Sequence, residues 1–130
     1  MIIDDSYNAN PESTRAALDF LRECEGNRFF VLGDMAELGK TAPALHRESG
    51  EYARECCEAL VAIGDLSRHA AAGYGGDGRF FSELASLQQA LEPFLAKDTT
   101  FLLKGSRVME LDRLVASLGA GREVSEASAC

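Results

Sequence analysis

The sequence predicts an α/β fold, a three-layer αβα sandwich built on a mostly parallel sheet, and three observations carry that prediction. Short apolar runs alternate with amphipathic helical stretches, the order that βαβ crossovers require. The runs "FFVLG" at 29–33, "LVAIG" at 60–64 and "TFLLKG" at 100–105 are almost continuously apolar, as strands covered on both faces must be. A chain of 130 residues, 46% hydrophobic and 26% charged, suits one globular domain around a single buried core.

Each element follows from its local pattern. Residues 1–6 read as a short strand running into "YNANPESTRAALDFLREC". There Asn10 followed by Pro11 marks a helix start, an N-cap side chain and then proline at the first helical position. Ala16, Ala17, Phe20, Leu21 and Cys24 follow at helical spacing, and "EGN" ends that helix before a buried strand at 28–33. Residues 43–57 read as helix, 59–64 as strand and 65–75 as a short helix closed by glycines. Residues 73–76 and 78 read as a glycine-rich loop, with a brief strand at 78–81. Residues 82–98 form a strong amphipathic helix with Leu84, Leu87, Leu91, Phe94 and Leu95 on one stripe. A last buried strand covers 99–105 and a last helix 109–118. The domain is expected to span 1–118, with 119–130 a frayed or disordered tail of small and polar residues.

Charge and cysteine usage narrow the function classes. The formal net charge of −8 argues against a broad nucleic-acid surface, which gains affinity by releasing counterions to basic side chains. No basic cluster invites an anionic membrane surface, and no run of apolar residues is long enough to span one. The opening "MIIDDSYNAN" lacks the basic start of a signal peptide. The cysteines are Cys24, the adjacent Cys56 and Cys57, and Cys130; with no C-x-x-C among them, reduced thiols in a cytoplasmic protein fit best.

In open parallel sheets, ligands bind beyond the carboxyl ends of the strands. Those ends are polar here: Asp5-Ser6-Tyr7-Asn8, Gly33-Asp34, Gly64-Asp65 and Lys104-Gly105-Ser106-Arg107, and they are expected to converge on one rim. "DDSYNANP" gathers carboxylates, a hydroxyl, a phenol and carboxamides at a helix N-terminus, suited to an anion, a ribose or a base. The plainer reading is local, with Asn10 capping and Tyr7 packing. "LLKGSRVME" puts Lys104 and Arg107 at a helix start, where cations are misplaced unless they face a carboxylate or phosphate; a solvated rim is the alternative. "GDMAELGKT", 33–41, ends like a phosphate-binding P-loop, but Gly33 and Gly39 are one residue too far apart, and Asp34 and Glu37 carry the wrong sign for a triphosphate. A strand-to-helix loop with glycines for tight geometry is the better reading. His46 and His69 lie at no metal-ligand spacing. His46 follows the glycine loop and either approaches the rim or sits on the surface.

Taken together, "DDSYNANPES", "VLGDMAELG" followed by His46 and "SG", "VAIG" and "LLKGSRVMELDRLV" resemble the C-terminal domain of the MurF-type Mur ligases, the UDP-N-acetylmuramoyl-tripeptide–D-alanyl-D-alanine ligases of peptidoglycan synthesis. The resemblance runs from Ile3 to about Leu118. It implies a Rossmann-like domain, the third of three, that closes over a site for ATP and D-alanyl-D-alanine. The family's reaction activates the terminal carboxylate of the UDP-N-acetylmuramoyl-tripeptide as an acyl phosphate, which the dipeptide amine attacks. Asp5, Tyr7, Asn8 and Asn10 are implied to bind the ribose and adenine side of ATP. Asp34, Lys104, Ser106 and Arg107 are implied to lie near the dipeptide or the transferred phosphate, with Gly33 and His46 on the rim. The partners implied are the enzyme's own N-terminal and central domains. The central domain carries the P-loop, the Mg2+ ligands and a modified lysine, all absent here, so this stretch alone is expected to hold ATP weakly, to bind no metal and to have no ligase activity. The contrasting expectation is an independent small Rossmann-like binding or interaction module.

Overall fold

The computed structural model describes residues 1–5, 9–95, 98–105, 114, 116 and 124–126. Its strands are β1 (Ile2–Asp5), β2 (Asn27–Gly33), β3 (Ala59–Ile63), β4 (Gly78–Phe81), β5 (Thr99–Lys104) and β6 (Val124–Glu126). Its helices are α1 (Pro11–Arg22), α2 (Ala42–Ala53), α3 (Ser67–Tyr74) and α4 (Leu84–Leu91), and Leu114 and Ala116 are also helical. The strands form one sheet in the order β4-β3-β2-β5-β1-β6, and every adjacent pair is parallel.

Strand alternation divides the core in two. Ile3, Phe30, Leu32, Leu60, Ala62 and Leu102 face α1, α2 and α3 through Leu18, Leu21, Ala53, Ala70 and Tyr74. On the opposite face Ile2, Phe29, Val31, Val61, Phe101 and Leu103 meet Leu87 and Leu91 of α4 and Leu114. This is the expected three-layer arrangement. The connections leaving β1, β2 and β3 run over the first face. The connection leaving β4 crosses the second face and brings the chain back past β3 and β2 to β5, and Leu114, beyond β5, lies on that face too. β5 is therefore flanked by β1 and β2, whose continuations leave on the opposite side, which is the switch point where such sheets open a crevice.

Local chemistry sets the boundaries. Asn10 caps α1: its side-chain oxygen accepts from Ser13 N–H at 2.8 Å, and Ser13 Oγ accepts from Asn10 N–H at 3.2 Å. The buried stripe of α1 is Thr14, Ala17, Leu18 and Leu21, so Ala16 and Phe20 point outward, with Phe20 39% exposed. The predicted stripe was rotated by about one residue. The amphipathic helix of 82–98 is shorter than expected. It ends at Leu91, and Glu92–Phe94 tighten into a 3-10 turn, because Pro93 has no N–H to continue the ladder. Arg28 joins three elements, making a bidentate pair with Glu58 at 2.7 Å and donating to the Arg22 carbonyl at 2.6 Å. Gly73 belongs to α3 and Gly78 to β4, rather than to a loop; a methyl on Gly73 would strike the Arg47 carbonyl, and one on Gly78 the Ala71 carbonyl.

Residues 119–130 read as a tail, yet Val124–Glu126 pair with β1 in parallel, Ile2 opposite Val124 and Asp4 opposite Glu126. Without β6, β1 would present a row of unpaired backbone groups on its outer side.

Candidate functional site

Because every strand is parallel, the carboxyl ends of β1, β5, β2 and β3 stand side by side along one edge. The register puts Lys104 opposite Asp5 on one side and Leu32 on the other, and Gly33 opposite Ile63. The backbones of Asp5, Gly33 and Lys104 are thus brought together at the switch point. Tyr7, Asn8, Ser106 and Arg107 lie outside the described residues, as does the side chain of Asp5.

Lys104 has no solvent exposure. Alternation from Leu102 puts it on the face covered by α1, α2 and α3, and it has interaction partners within the folded chain. Burying an ammonium is costly unless nearby groups compensate it, so Lys104 depends on those partners to stay charged inside the fold.

Asp34 has a definite structural task. Its Oδ1 accepts from Ser67 N–H at 2.7 Å and Ser67 Oγ–H at 2.8 Å, and its Oδ2 lies 3.3 Å from Leu66 N. A carboxylate leaving β2 therefore caps the helix that follows β3, where the dipole favours negative charge. Gly64, at φ +108°, makes room for it, since a β-carbon there would collide with the Asp34 carboxylate.

The loop after Asp34 is shaped from below. Glu37 at φ 60° and Gly39 at φ 68° are both left-handed, and Gly39–Thr41 form a single 3-10 turn leading into α2. This is a strand-to-helix loop and not a P-loop, in agreement with the spacing argument. Met35 is wholly buried, and its N–H donates to His46 Nε2 at 2.9 Å. His46 Nδ1 lies 2.7 Å from the Ala42 carbonyl. A carbonyl only accepts and an amide only donates, so Nδ1 carries the proton and Nε2 does not. Burial pushes the His46 pKa below the ordinary histidine value; the Ala42 carbonyl and Asp34 pull it back upward, and His69 opposes the cation. His46 is buried, not on the surface. It lies beneath the rim loop rather than lining it. Thr14 Oγ1, from α1, also reaches Met35 Sδ at 3.5 Å.

Above this support, Asp34–Lys40, Ala42, Pro43 and Leu66 line a cleft of about 600 Å³. Its walls are mainly apolar, with Asp34, Glu37 and Lys40 as the charged members. Asn10 sits at the base of the β1–α1 turn with its side-chain oxygen engaged in the cap. Among the described residues, no three His, Cys, Asp or Glu side chains gather where a metal could be held, and no helix is long and apolar enough to cross a membrane.

Comparison with known proteins identifies the architecture. The family model described as Mur ligase, glutamate ligase domain, matches residues 1–107. The chain belongs to this family. Among curated relatives of this Mur ligase domain, the UDP-N-acetylmuramoyl-tripeptide–D-alanyl-D-alanine ligase of Escherichia coli (strain K12) is 37% identical over 121 residues, covering 91% of this chain and 26% of that protein. The enzyme of the same name from Bacillus subtilis (strain 168) is 33% identical over 125 residues, covering 90% and 27%. The chain thus spans about a quarter of the length of the curated relatives it matches. Among solved structures, MurF from Acinetobacter baumannii superposes with a TM-score of 0.79 at 32% identity, covering 90% of this chain and 27% of that one. The MurF ligase from Thermotoga maritima, solved in complex with ADP, gives 0.78 at 23% identity over the same shares, a likeness of fold.

Sequence reasoning missed Met35 and Leu66 as cleft residues, and it missed what Asp34 and His46 hold. The residue types were visible, an acid at a strand end and a histidine in the next helix. Their partners, Ser67 and Met35, are fixed by tertiary packing, which local spacing does not encode.

Proposed function

We propose that this chain is the C-terminal domain of a UDP-N-acetylmuramoyl-tripeptide–D-alanyl-D-alanine ligase of the cytoplasm, and that its strand-end rim forms one wall of the site for ATP and the dipeptide. The observation that carries this reading is 37% identity to a ligase of that activity across 91% of the chain. The polar end of β1 at Asp5, the start of α1 at Asn10 and the buried Lys104 across the register suit the ribose-and-base side of a nucleotide and an anionic neighbour. The residues do not suit a phosphate cradle, because Gly39-Lys40-Thr41 form a 3-10 turn. Magnesium and the phosphate-binding loop are therefore assigned to the other domains of the enzyme.

In the full-length ligase, Mg-ATP would supply the phosphoryl group that turns the tripeptide carboxylate into an acyl phosphate. Within this domain, Asp5, Tyr7, Asn8 and Asn10 orient the nucleoside. Lys104, Ser106 and Arg107 offset negative charge on the dipeptide carboxylate or on the phosphate that leaves when the amine attacks. Asp34 acts through the fold, holding α3 against the rim, and Gly33 and His46 set the shape of the neighbouring loop. The domain also excludes water, since an acyl phosphate exposed to solvent hydrolyses unproductively.

The test uses the intact ligase. Asp5→Ala and Lys104→Met, the latter filling the same volume without charge, are expected to lower turnover about a hundredfold or more, as loss of preorganised charge stabilisation does. Circular dichroism of the purified variants should match wild type. Wild-type turnover in both would overturn the assignment. A companion calorimetric titration should find Mg-ATP binding to the 130-residue chain alone too weak to measure at micromolar concentrations; micromolar affinity would mean the domain carries a phosphate site of its own.

A further inference from the structure

The rim loop Asp34–Leu38 has no regular backbone ladder, contains a non-glycine residue at positive φ, and still presents a defined cleft wall. Such a conformation is strained and persists only when surrounding structure dictates it. Two anchors do so from below. Asp34 is fastened to the start of α3. One residue later the Met35 N–H, wholly buried and out of reach of water, donates to His46 Nε2, an atom that accepts only while the imidazole is neutral.

We propose that His46 is a positioning residue whose neutral imidazole fixes the rim loop, so that protonation frees the loop and opens the cleft wall while the sheet stays folded. Adding a proton turns Nε2 from acceptor to donor and sets two donors face to face, leaving the Met35 N–H unsatisfied in a dry site. The loop is the part that gives way, because apart from Met35 its residues are half-buried or exposed. The groups around His46 are few. Asp34 at the end of β2 favours the cation and His69 on α3 opposes it. Thr14 on α1 touches Met35 but does not titrate, and Lys104 ends β5 on the same face of the sheet. This inference concerns the loop beside the proposed ligase site but does not need ligase activity to be tested, so the two readings fail separately.

The experiment is a pH titration of the whole 130-residue chain by two-dimensional NMR, following the His46 ring nitrogens and the backbone amides. At neutral pH the ring should show the Nδ1–H tautomer. On acidification His46 should protonate below the ordinary histidine range, and the Met35–Gly39 amides should move with the same midpoint while Phe30 and Leu102 in the sheet do not. His46→Phe fills the space without either hydrogen bond and should speed Met35 amide exchange about tenfold or more. His46→Gln, able to accept and donate, should restore most of the protection. Should His46→Phe fail to fold, the wild-type titration and the Gln variant still decide. Loop amides indifferent to His46 protonation, or Met35 as well protected in the Phe variant as in wild type, would overturn the proposal.

Discussion

The carboxylate of Asp34 joins β2 to the start of α3 through two backbone N–H groups and one hydroxyl. Caps of this kind contribute about 0.5–2 kcal/mol, so Asp34→Ala should lose that much or slightly more in urea unfolding, while Asp34→Asn, which keeps an acceptor, should lose less. His46 gives the chain a pH dependence whose sign follows from burial. Its folded pKa lies below the unfolded value of about 6.5, so the unfolded chain binds more protons in the interval between the two. The His46 contribution is complete above about pH 6.5 and is lost as pH falls from there through the folded pKa. Unfolding curves of wild type and His46→Phe should therefore converge on acidification, and parallel curves would count against it. Cysteine chemistry gives a third check at this scale. Burial pushes the Cys57 thiol up to about 12 and also raises that of Cys56. Alkylation at neutral pH should mark the half-exposed Cys24 well before either, with Cys57 reacting only once the chain unfolds. None of these partners was legible in the sequence. Asp34 and His46 stood out as residue types, but a cap made by the wrong strand and a histidine beneath the loop it supports arise only from packing.

At the scale of elements the sequence was far more informative, because periodicity and caps are local. Every strand drawn from an apolar run formed, and Asn10-Pro11 opened α1 as its capping chemistry required. What failed was finer. The stripe of α1 was misjudged because Phe20 is apolar but faces out, and small Thr14 is wholly buried against Met35. The contact between α2 and α3 was also invisible. A methyl group on Gly50 would run into the Ala70 carbonyl, and the two helices approach closely there and at Gly73. Gly→Ala in an exposed helix interior stabilises by about 1 kcal/mol. Gly50→Ala should reverse that sign, destabilising by about 1–3 kcal/mol as overpacked sites do, and should lower the melting temperature; a rise would show that the helices can move apart at no cost. Because α3 is the helix that Asp34 caps, this contact also sets where the rim loop can lie.

For the molecule as a whole, the layers could be read from composition and alternation, but the strand order could not. That order depends on which strands find each other across the chain, and it is what puts β5, with Lys104, between β1 and β2. It also joins the two ends of the sequence, β6 beside β1. Removing residues 119–130 should uncover the outer edge of β1, lowering the urea midpoint and promoting self-association through that edge; a truncated chain as stable and as monomeric as the parent would show that β6 adds nothing. The same pairing bears on how the protein is made. β2, β3 and β4 meet neighbours separated by a single helix and can assemble while the chain is still leaving the ribosome. Of the six strands β1 is translated before the others, yet its two neighbours, β5 and β6, are the last two of the six. The strand that carries Asp5 must therefore wait, without its sheet partners, until β5 and β6 have been made, so pairing of β1 closes the sheet late.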